Sequence, residues 1–530
     1  MEIRDARLRG EMKDPREQAE DTITAVIMDM DGVVTDTAEA HFAAWKGVFD
    51  DLLKARGAEP PFSREDYLAH VDGLPRHEGI RRFLAARGID LPEGRDDDDG
   101  IGSQRGIGNL KNHRFHDWLD RERVPVFDDA RALIETLKAT GMKLGVFSAS
   151  RNARRVLQSA GLADAFDTVL DGADAADLGL APKPAPDQLL RAARQIGGSP
   201  ETTLVIEDAE AGVEAAAAGR FALVVGIDRQ GGDGAHGHAL RVHGADLVTR
   251  DLRRLLLPGG AGLKTLDTLP SVWEGLDAIT ERLGARAATV FLDFDGTLSP
   301  IVPDYRDAAM PKATRAAVGA LAARGAVAII SGRDLADLRQ RVGVGDVIYA
   351  GSHGFDIAGP GGMAERPEEA EGFREAIAEA DTALREALSG IEGARIERKT
   401  FAIAVHYREA QERDLPRIEA AVDRVAARHD RLRKGRGKKV IELQPRADWD
   451  KGRAVAWLLA HTPMGQDGAL PVYVGDDLTD EDAFAALADD GLLIAVRGGG
   501  RPTLANYALA DPDDVRRFVD WLADREGAAA

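Results

Sequence analysis

An apolar run that ends in two aspartates one residue apart, followed at once by glycine, occurs twice in this chain. Residues 25–37 read AVIMDMDGVVTDT and residues 289–300 read TVFLDFDGTLSP. A short apolar run of this kind reads as a buried parallel strand, and in doubly wound α/β sheets ligands sit just beyond the strand's carboxyl end. Asp-x-Asp at that place puts two acids at the mouth of a crevice, and the glycine lets the backbone turn tightly. The chemistry that fits is phosphoryl transfer through an aspartyl phosphate. One carboxylate attacks phosphorus, a Mg²⁺ ion neutralises the crowded charge, and the second carboxylate shuttles the proton of the leaving oxygen. One copy alone reads equally well as two solvated acids in a loop. A calcium EF-hand fits worse, because the glycine comes too early and no distal glutamate is spaced for it.

The repetition decides between these readings. Each copy is followed, in the same order, by a small hydroxyl after a strand, a lysine, and an acidic cluster after another strand. The first set is Asp29 and Asp31, Ser148, Lys183, then Glu207 and Asp208; the second is Asp293 and Asp295, Ser331, Lys451, then Asp476 and Asp477. Lys183 to Asp208 and Lys451 to Asp476 both span 25 residues. Both halves resemble the haloacid dehalogenase superfamily of Mg²⁺-dependent phosphotransferases. The resemblance implies an α/β protein of two Rossmann-like parallel-sheet modules.

The spacings differ where caps are inserted. Ser148 comes 117 residues after Asp31, with helical periodicity between them at His41, Trp45, Val48 and Leu52 and again at Ile80, Phe83 and Leu84. This predicts a helical cap at about 37–122, interrupted by an exposed loop at 94–106 whose acidic run, Asp96 to Asp99, reads as solvated rather than metal-binding. In the second half the long gap falls between Ser331 and Lys451. That predicts a small α+β cap at about 354–445, with strands at 401–407 and 439–443 and helices at 373–388 and 415–429. The expected layout is a frayed charged tail at 1–21, a first domain at 22–256, a linker and helix at 257–285, and a second domain at 286–530. Core strands are expected at 143–147, 203–206, 222–225 and 246–248, and Val272, Trp273, Leu276, Ile279 and Leu283 should share one face of a helix.

Charge and composition narrow the partners. A formal net charge of −21 over 530 residues argues against nucleic acid or an anionic membrane as the main partner, so local cations must capture any phosphorylated substrate. With no cysteine there is no disulfide, no thiolate zinc site and no cysteine nucleophile. That suits a reducing cytoplasm. No signal-peptide pattern or membrane-length apolar run is evident, and a homo-oligomer is left open.

In the first half Asp29 is the candidate nucleophile and Asp31 the acid/base, with Ser148 and Lys183 on the phosphoryl group. Glu207 and Asp208 are the expected metal partners of Asp29 and Asp31. This half resembles the β-phosphoglucomutase group, through TDTAEAHFAAWK, HVDGLPRHEG, NLKNHRF and Asn152. The resemblance implies that Arg76 and Lys111, with Asn152, contact a sugar phosphate. Gly79 stands where related mutases often carry serine, and Pro182 precedes Lys183 where glycine is usual. Mutase, phosphatase and regulatory roles therefore stay open for this half.

In the second half Asp293 would attack phosphorus, Asp295 would serve as acid and then base, and Ser331 and Lys451 would hold the equatorial oxygens. Asp476, Asp477 and Asp480 join Asp293 and Asp295 as metal-site candidates. YAGSHGFDI, ERK, AVHYR, KVIELQP, WDKGRAV and YVGDDLTDEDAF together resemble trehalose-6-phosphate phosphatases. The resemblance implies Mg²⁺-dependent hydrolysis of trehalose 6-phosphate, with Glu397, Lys399 and Glu442 gripping the distal glucose. His353, Arg333 and Arg408 complete the expected substrate contacts. Taken by themselves, Glu397 and Lys399 read as an exposed charge ladder on a strand. A broad sugar phosphatase and a non-catalytic sugar-phosphate sensor are the competing readings.

Overall fold

The five residues Ala288–Leu292 (ATVFL) carry no polar/apolar alternation, and every one of them is buried. A strand without alternation needs cover on both faces, which a parallel sheet between helices provides. The computed structural model, which describes residues 22–529 except 72, 73, 75, 233, 303, 367–369, 438, 439, 448, 466 and 467, places this strand accordingly. The charged stretch 1–21 and Lys439 lie outside the described residues. Ala288–Leu292 pairs in parallel with Leu470–Gly475 on one side and Ala326–Ile330 on the other. The chain thus leaves it in one direction and returns on its other flank, a topological switch point where a crevice opens beyond the strand ends.

Eight strands form this sheet, in the order Ala364–Glu365, Asp356–Ala358, Ile348–Gly351, Ala326–Ile330, Ala288–Leu292, Leu470–Gly475, Leu492–Val496, Tyr507–Leu509. Val290, Leu292, Val327, Val472 and Phe518 belong to one continuous core that closes over it. A second, antiparallel sheet of four strands runs in the order Arg395–Arg398, Ile403–His406, Val440–Pro445, Leu432–Gly437. Ile403, Val405, Ile441 and Leu443 pack in one cluster with Ile377, Leu384, Ile418 and Val422 of the helices Ala370–Leu388 and Leu415–Ala426. Because side chains alternate across a strand, the register row Glu397, Ala404, Glu442, Gly435 lies on the other face.

The described chain divides into two compact units, residues 25–199 with 205–208, and the remainder. In the smaller unit Ala25–Asp29, Lys143–Phe147 and Thr168–Leu170 pair in parallel. Between the first two strands come the helices Ala38–Arg56, Arg64–His70, Arg76–Ala86 and Gln104–Arg121. Their core is aromatic: Phe49 packs on Phe83 at 4.1 Å and on Trp45 at 5.1 Å between ring centroids. The larger unit includes the paired strands Leu223–Ile227 and Leu247–Thr249.

Several local expectations change. The helix expected from Val272 starts only at Leu276, because Val272 N donates to Ala508 O (3.0 Å) and Ser271 bridges Ala508, which keeps that stretch extended. The expected loop at 94–106 ends at Ser103, whose hydroxyl caps the next helix by accepting from Gly106 N at 3.1 Å. The helix expected to reach His429 stops at Ala426. Leu432–Gly437 (LRKGRG) was not expected as a strand; pairing along Val440–Pro445 overrides its poor intrinsic preference. Among the described residues no helix is long and apolar enough to cross a membrane.

Candidate active sites

Asp293 follows the central strand directly, and its backbone N–H still donates to Val474 O (2.9 Å), so the nucleophile candidate is fixed by the sheet. The chain then folds back sharply: Leu298 N and Ser299 N both donate to Phe294 O, and Gly296 N donates to Ser299 O at 2.8 Å. Gly296 has φ +85°, and a Cβ there would strike the Asp476 carboxylate. Both reasons require glycine. Thr297 Oγ1 donates to Asp476 Oδ1 at 3.2 Å.

Lys451 opens the helix Lys451–His461 and is buried with its ammonium 2.7 Å from both Asp293 Oδ1 and Asp480 Oδ1. Burial holds the Asp293 carboxyl up at about 8, against the pull of Lys451, with Asp480 and Asp295 adding to the rise. Burial works against the charge on Lys451, but Asp293 and Asp480 outweigh it and raise the lysine well above its ordinary value. Asp476 is also pushed well up, by burial and then by Asp293, Asp480 and Asp477. Asp293, Asp476 and Asp480 can each offer an oxygen within 4.8 Å of the others. Three crowded carboxylates with hard oxygen donors suit a divalent cation such as Mg²⁺. Asp477 is exposed and, like Asp295, stands outside that group.

Asp295 is gripped by Arg333, whose Nε and Nη2 donate to its two oxygens at 2.6 Å each; Arg333 also donates to Asp337 (2.9 Å) and Tyr305 O (2.9 Å). Ser331 is buried at the end of its strand, its hydroxyl accepting from Arg333 N at 3.2 Å. His353 adopts a left-handed backbone (φ 57°), and its N–H donates to Ser331 O at 2.9 Å. Its ring crowds Gly332, where a Cβ would lie 2.8 Å away. Burial lowers the imidazole to about 4 and so keeps it neutral.

The open face of the four-stranded sheet supplies the other charges. Lys399 donates to Glu442 Oε1 at 2.8 Å, and Gln444 donates to Glu442 Oε2 at 2.6 Å. Burial would raise Glu442, but Lys399 and then His353 draw it down to about 2. His353 Nε2 lies 3.9 Å from Glu442 and has no hydrogen-bond partner among the described residues. Glu397 pairs with His406 at 2.8 Å. Arg408 is exposed in the turn two residues beyond the strand Ile403–His406.

The smaller unit holds a parallel arrangement. Lys183 contacts Asp29 at 2.6 Å and also Glu207. Asp29, Glu207 and Asp208 can offer oxygens to one cation. Gly32 (φ +86°) faces Asp208 as Gly296 faces Asp476. Here, however, Asp31 accepts from two hydroxyls, Thr37 and Ser148 (3.5 Å). Lys111 lies 2.7 Å from His41 Nδ1 and 4.6 Å over the Phe115 ring; burial, with Arg76 nearby, lowers it to about 7. Burial, then Lys111 and Arg76, lower His41 to about 3, so the ring nitrogen is free to accept. Asn152 donates to Asn112 at 2.9 Å, and the exposed Arg76 reaches the same Asn112 oxygen at 3.5 Å.

Two contributors escaped the sequence reading. Tyr473, buried in the strand beside Asp293, donates its hydroxyl to Asp480 Oδ1 at 2.7 Å. In an apolar strand run it looks like core, and only the paired acid gives it a role. Thr37 was quoted within its motif, but nothing in the spacing marked its hydroxyl as the partner of Asp31.

Comparison with known proteins divides along the same lines. A family model described as trehalose-phosphatase matches residues 291–513, and one described as haloacid dehalogenase-like hydrolase matches 23–220. Two Mycobacterium tuberculosis proteins named as uncharacterized glycosyl hydrolases are 38% identical over 94% of this chain. The chain spans only 38% of the length of those two relatives. A trehalose-phosphate phosphatase of Mycobacterium avium is 42% identical over 64% of this chain and 88% of its own length. Among solved structures, a C. albicans trehalose-6-phosphate phosphatase C-terminal domain covers 48% of this chain and 99% of itself, at 24% identity and a TM-score of 0.43.

Proposed function

We propose that this chain, which belongs to the trehalose-phosphate phosphatase family, hydrolyses trehalose 6-phosphate to trehalose and phosphate at the Asp293 site. One observation carries the reading. The backbone N–H of His353 donates to Ser331 O at 2.9 Å and its ring stands 3.9 Å from Glu442, which supports one site joining the Asp293 acids to the cap carboxylates.

In the reaction we infer, an Asp293 oxygen attacks phosphorus and the P–O bond to the sugar breaks. Asp295 gives its proton to the departing sugar oxygen, then takes one from the water that attacks the aspartyl phosphate. Phosphate leaves and Asp293 is restored. Lys451 and Ser331 hold the equatorial oxygens where charge is spread in the transition state. Arg333 aims the Asp295 carboxyl; its bidentate grip must loosen when that oxygen is protonated, so substrate entry and release of Arg333 belong to one step. Asp293, Asp476 and Asp480 would hold or position Mg²⁺, which when bound offsets the negative charge of the phosphoryl group. Glu397, Lys399 and Glu442 offer two acceptors and a donor to a ring of hydroxyls.

For the first half we propose a second phosphotransfer site at Asp29, acting on a hexose phosphate as mutase or phosphatase, or kept as a regulatory module. Lys183 between Asp29 and Glu207 supports chemistry, and Lys111, lowered by burial, supports an anionic ligand that would recharge it. We take the stretch at about 257–285 as the linker and helix between the two modules. The absence of cysteine favours a cytoplasmic location.

The test is phosphate release by the full chain with magnesium, across phosphorylated mono- and disaccharides. Preference for trehalose 6-phosphate supports the reading. Equal rates across the panel would replace it with a broad sugar phosphatase, and binding without turnover would favour the sensor.

A further inference from the structure

The helix that begins at Lys451 is set by the residue before it. Asp450 is buried and extended (φ −151°, ψ −176°), and its Oδ1 accepts from Arg453 N at 2.8 Å. This N-cap fixes where the first turn starts, and so where the Lys451 ammonium lies relative to Asp293. The turn also packs without slack against the helix Asp480–Ala486: a Cβ at Gly452 would strike Asp482 O.

That junction brings together two half-hidden carboxylates, Asp450 and Asp482, with side chains 10% and 16% exposed. What lies between them comes from the first half of the sequence. Arg241, near the end of the helix Ala235–Val242, donates through Nε to Asp482 Oδ1 and lies 3.7 Å from Asp450 Oδ2. The same helix starts beside the cap turn, since a Cβ on Gly234 would lie 3.7 Å from the Arg453 guanidinium. The cap sheet adds Arg433, drawn electrostatically to both acids. Two carboxylates this close repel, and removing Arg241 takes away the cation bonded directly to Asp482 and leaves less positive charge to offset the pair.

We propose that Arg241 is a positioning residue for phosphoryl transfer at Asp293, acting through Asp450 and Asp482 on the helix that carries Lys451. The proposal rests on the reading of Asp293 as nucleophile. Arg241 touches neither substrate nor reacting atoms. Its effect is to keep an ammonium within bonding distance of the phosphoryl oxygens, where a displacement of about 1 Å costs on the order of a hundredfold in rate. It also makes the first half of the chain part of the second half's catalytic geometry.

The test uses the full chain and compares Arg241→Ala, Arg241→Lys and Arg254→Ala. Arg254 likewise reaches from the first half to an acid of the second, Asp489, but one far more exposed (95%). Expected is a fall in kcat of about tenfold or more for Arg241→Ala with KM within about twofold, a smaller fall for Arg241→Lys, and no change for Arg254→Ala. Adding Asp482→Ala to Arg241→Ala removes the stranded carboxylate and should restore part of kcat. If Arg241→Ala does not fold, Arg241→Lys carries the comparison. A kcat within twofold of the parent, a change confined to KM, or an equal fall for Arg254→Ala overturns the proposal. Turnover that survives Asp293→Asn sinks the nucleophile reading instead. If the parent ignores trehalose 6-phosphate, p-nitrophenyl phosphate hydrolysis measured in an Asp29→Asn background, which silences the first site, gives the same variant ratios.

Discussion

The Asp29 and Asp293 sites share their parts but differ in what holds the second aspartate. Asp31 accepts from hydroxyls, Thr37 and Ser148, whereas Asp295 is clamped by both arms of a guanidinium. Their lysines differ too: the Lys183 side chain is 17% exposed, that of Lys451 only 3%. A hydroxyl reorients at little cost and tolerates either protonation state of its partner. A bidentate arginine prefers the ionised carboxylate and must be displaced. The same four-part pattern therefore permits one site whose second aspartate is held by hydroxyls and one whose second aspartate is held at both oxygens by a guanidinium.

The largest effect should come from the nucleophiles. Asp293→Asn should lower trehalose 6-phosphate hydrolysis by about a thousandfold or more, and Asp29→Asn should leave it within about twofold, measured as phosphate release. The reverse pattern would exchange the roles of the two sites. Chelation with EDTA should abolish the same activity, and added Mg²⁺ should restore it; turnover that persists in EDTA would remove the cation from the scheme. Next comes Arg333→Ala, expected to lower kcat by about ten- to a hundredfold by freeing Asp295, with little change in KM. If kcat rose, the clamp would be purely inhibitory.

Glu442 gives a smaller, pH-dependent effect. Its folded value of about 2 lies below the ordinary 4.5, so the stability it contributes is present above about pH 4.5 and fades as pH falls toward 2. Glu442→Gln should lower stability by about 2 kcal/mol at neutral pH, raise KM several-fold, and flatten the acid limb of a melting-temperature profile between pH 4.5 and 2. An unchanged acid limb would show that Lys399 and Glu442 do not hold each other. The smallest effect is expected at Arg408, exposed in the turn after its strand, where Ala should change KM less than twofold.

The sequence made the acid clusters legible because order and spacing repeat across the halves, and it located both caps because a parallel strand cannot be reached through 117 residues of one helix. It was weaker wherever tertiary pairing decides. LRKGRG has the composition of a loop and becomes a strand only because Val440–Pro445 lies beside it. Val272 has helical spacing with Ile279, but a backbone bond to Ala508 claims it first. Tyr473 and Arg241 illustrate the same limit within the site. Their importance lies in Asp480 and in Asp450 with Asp482, contacts far away in sequence or hidden inside an apolar run.

The placement of Arg241 bears on how such a chain can be divided. Severing the protein at the glycine-rich stretch near residue 260 would look natural from a motif map, yet it would strip the second half of a cation lodged at its helical joint. A recombinant second half begun there should inherit every motif and still turn over slowly. Partition by function and partition by physical support follow different lines in this polypeptide.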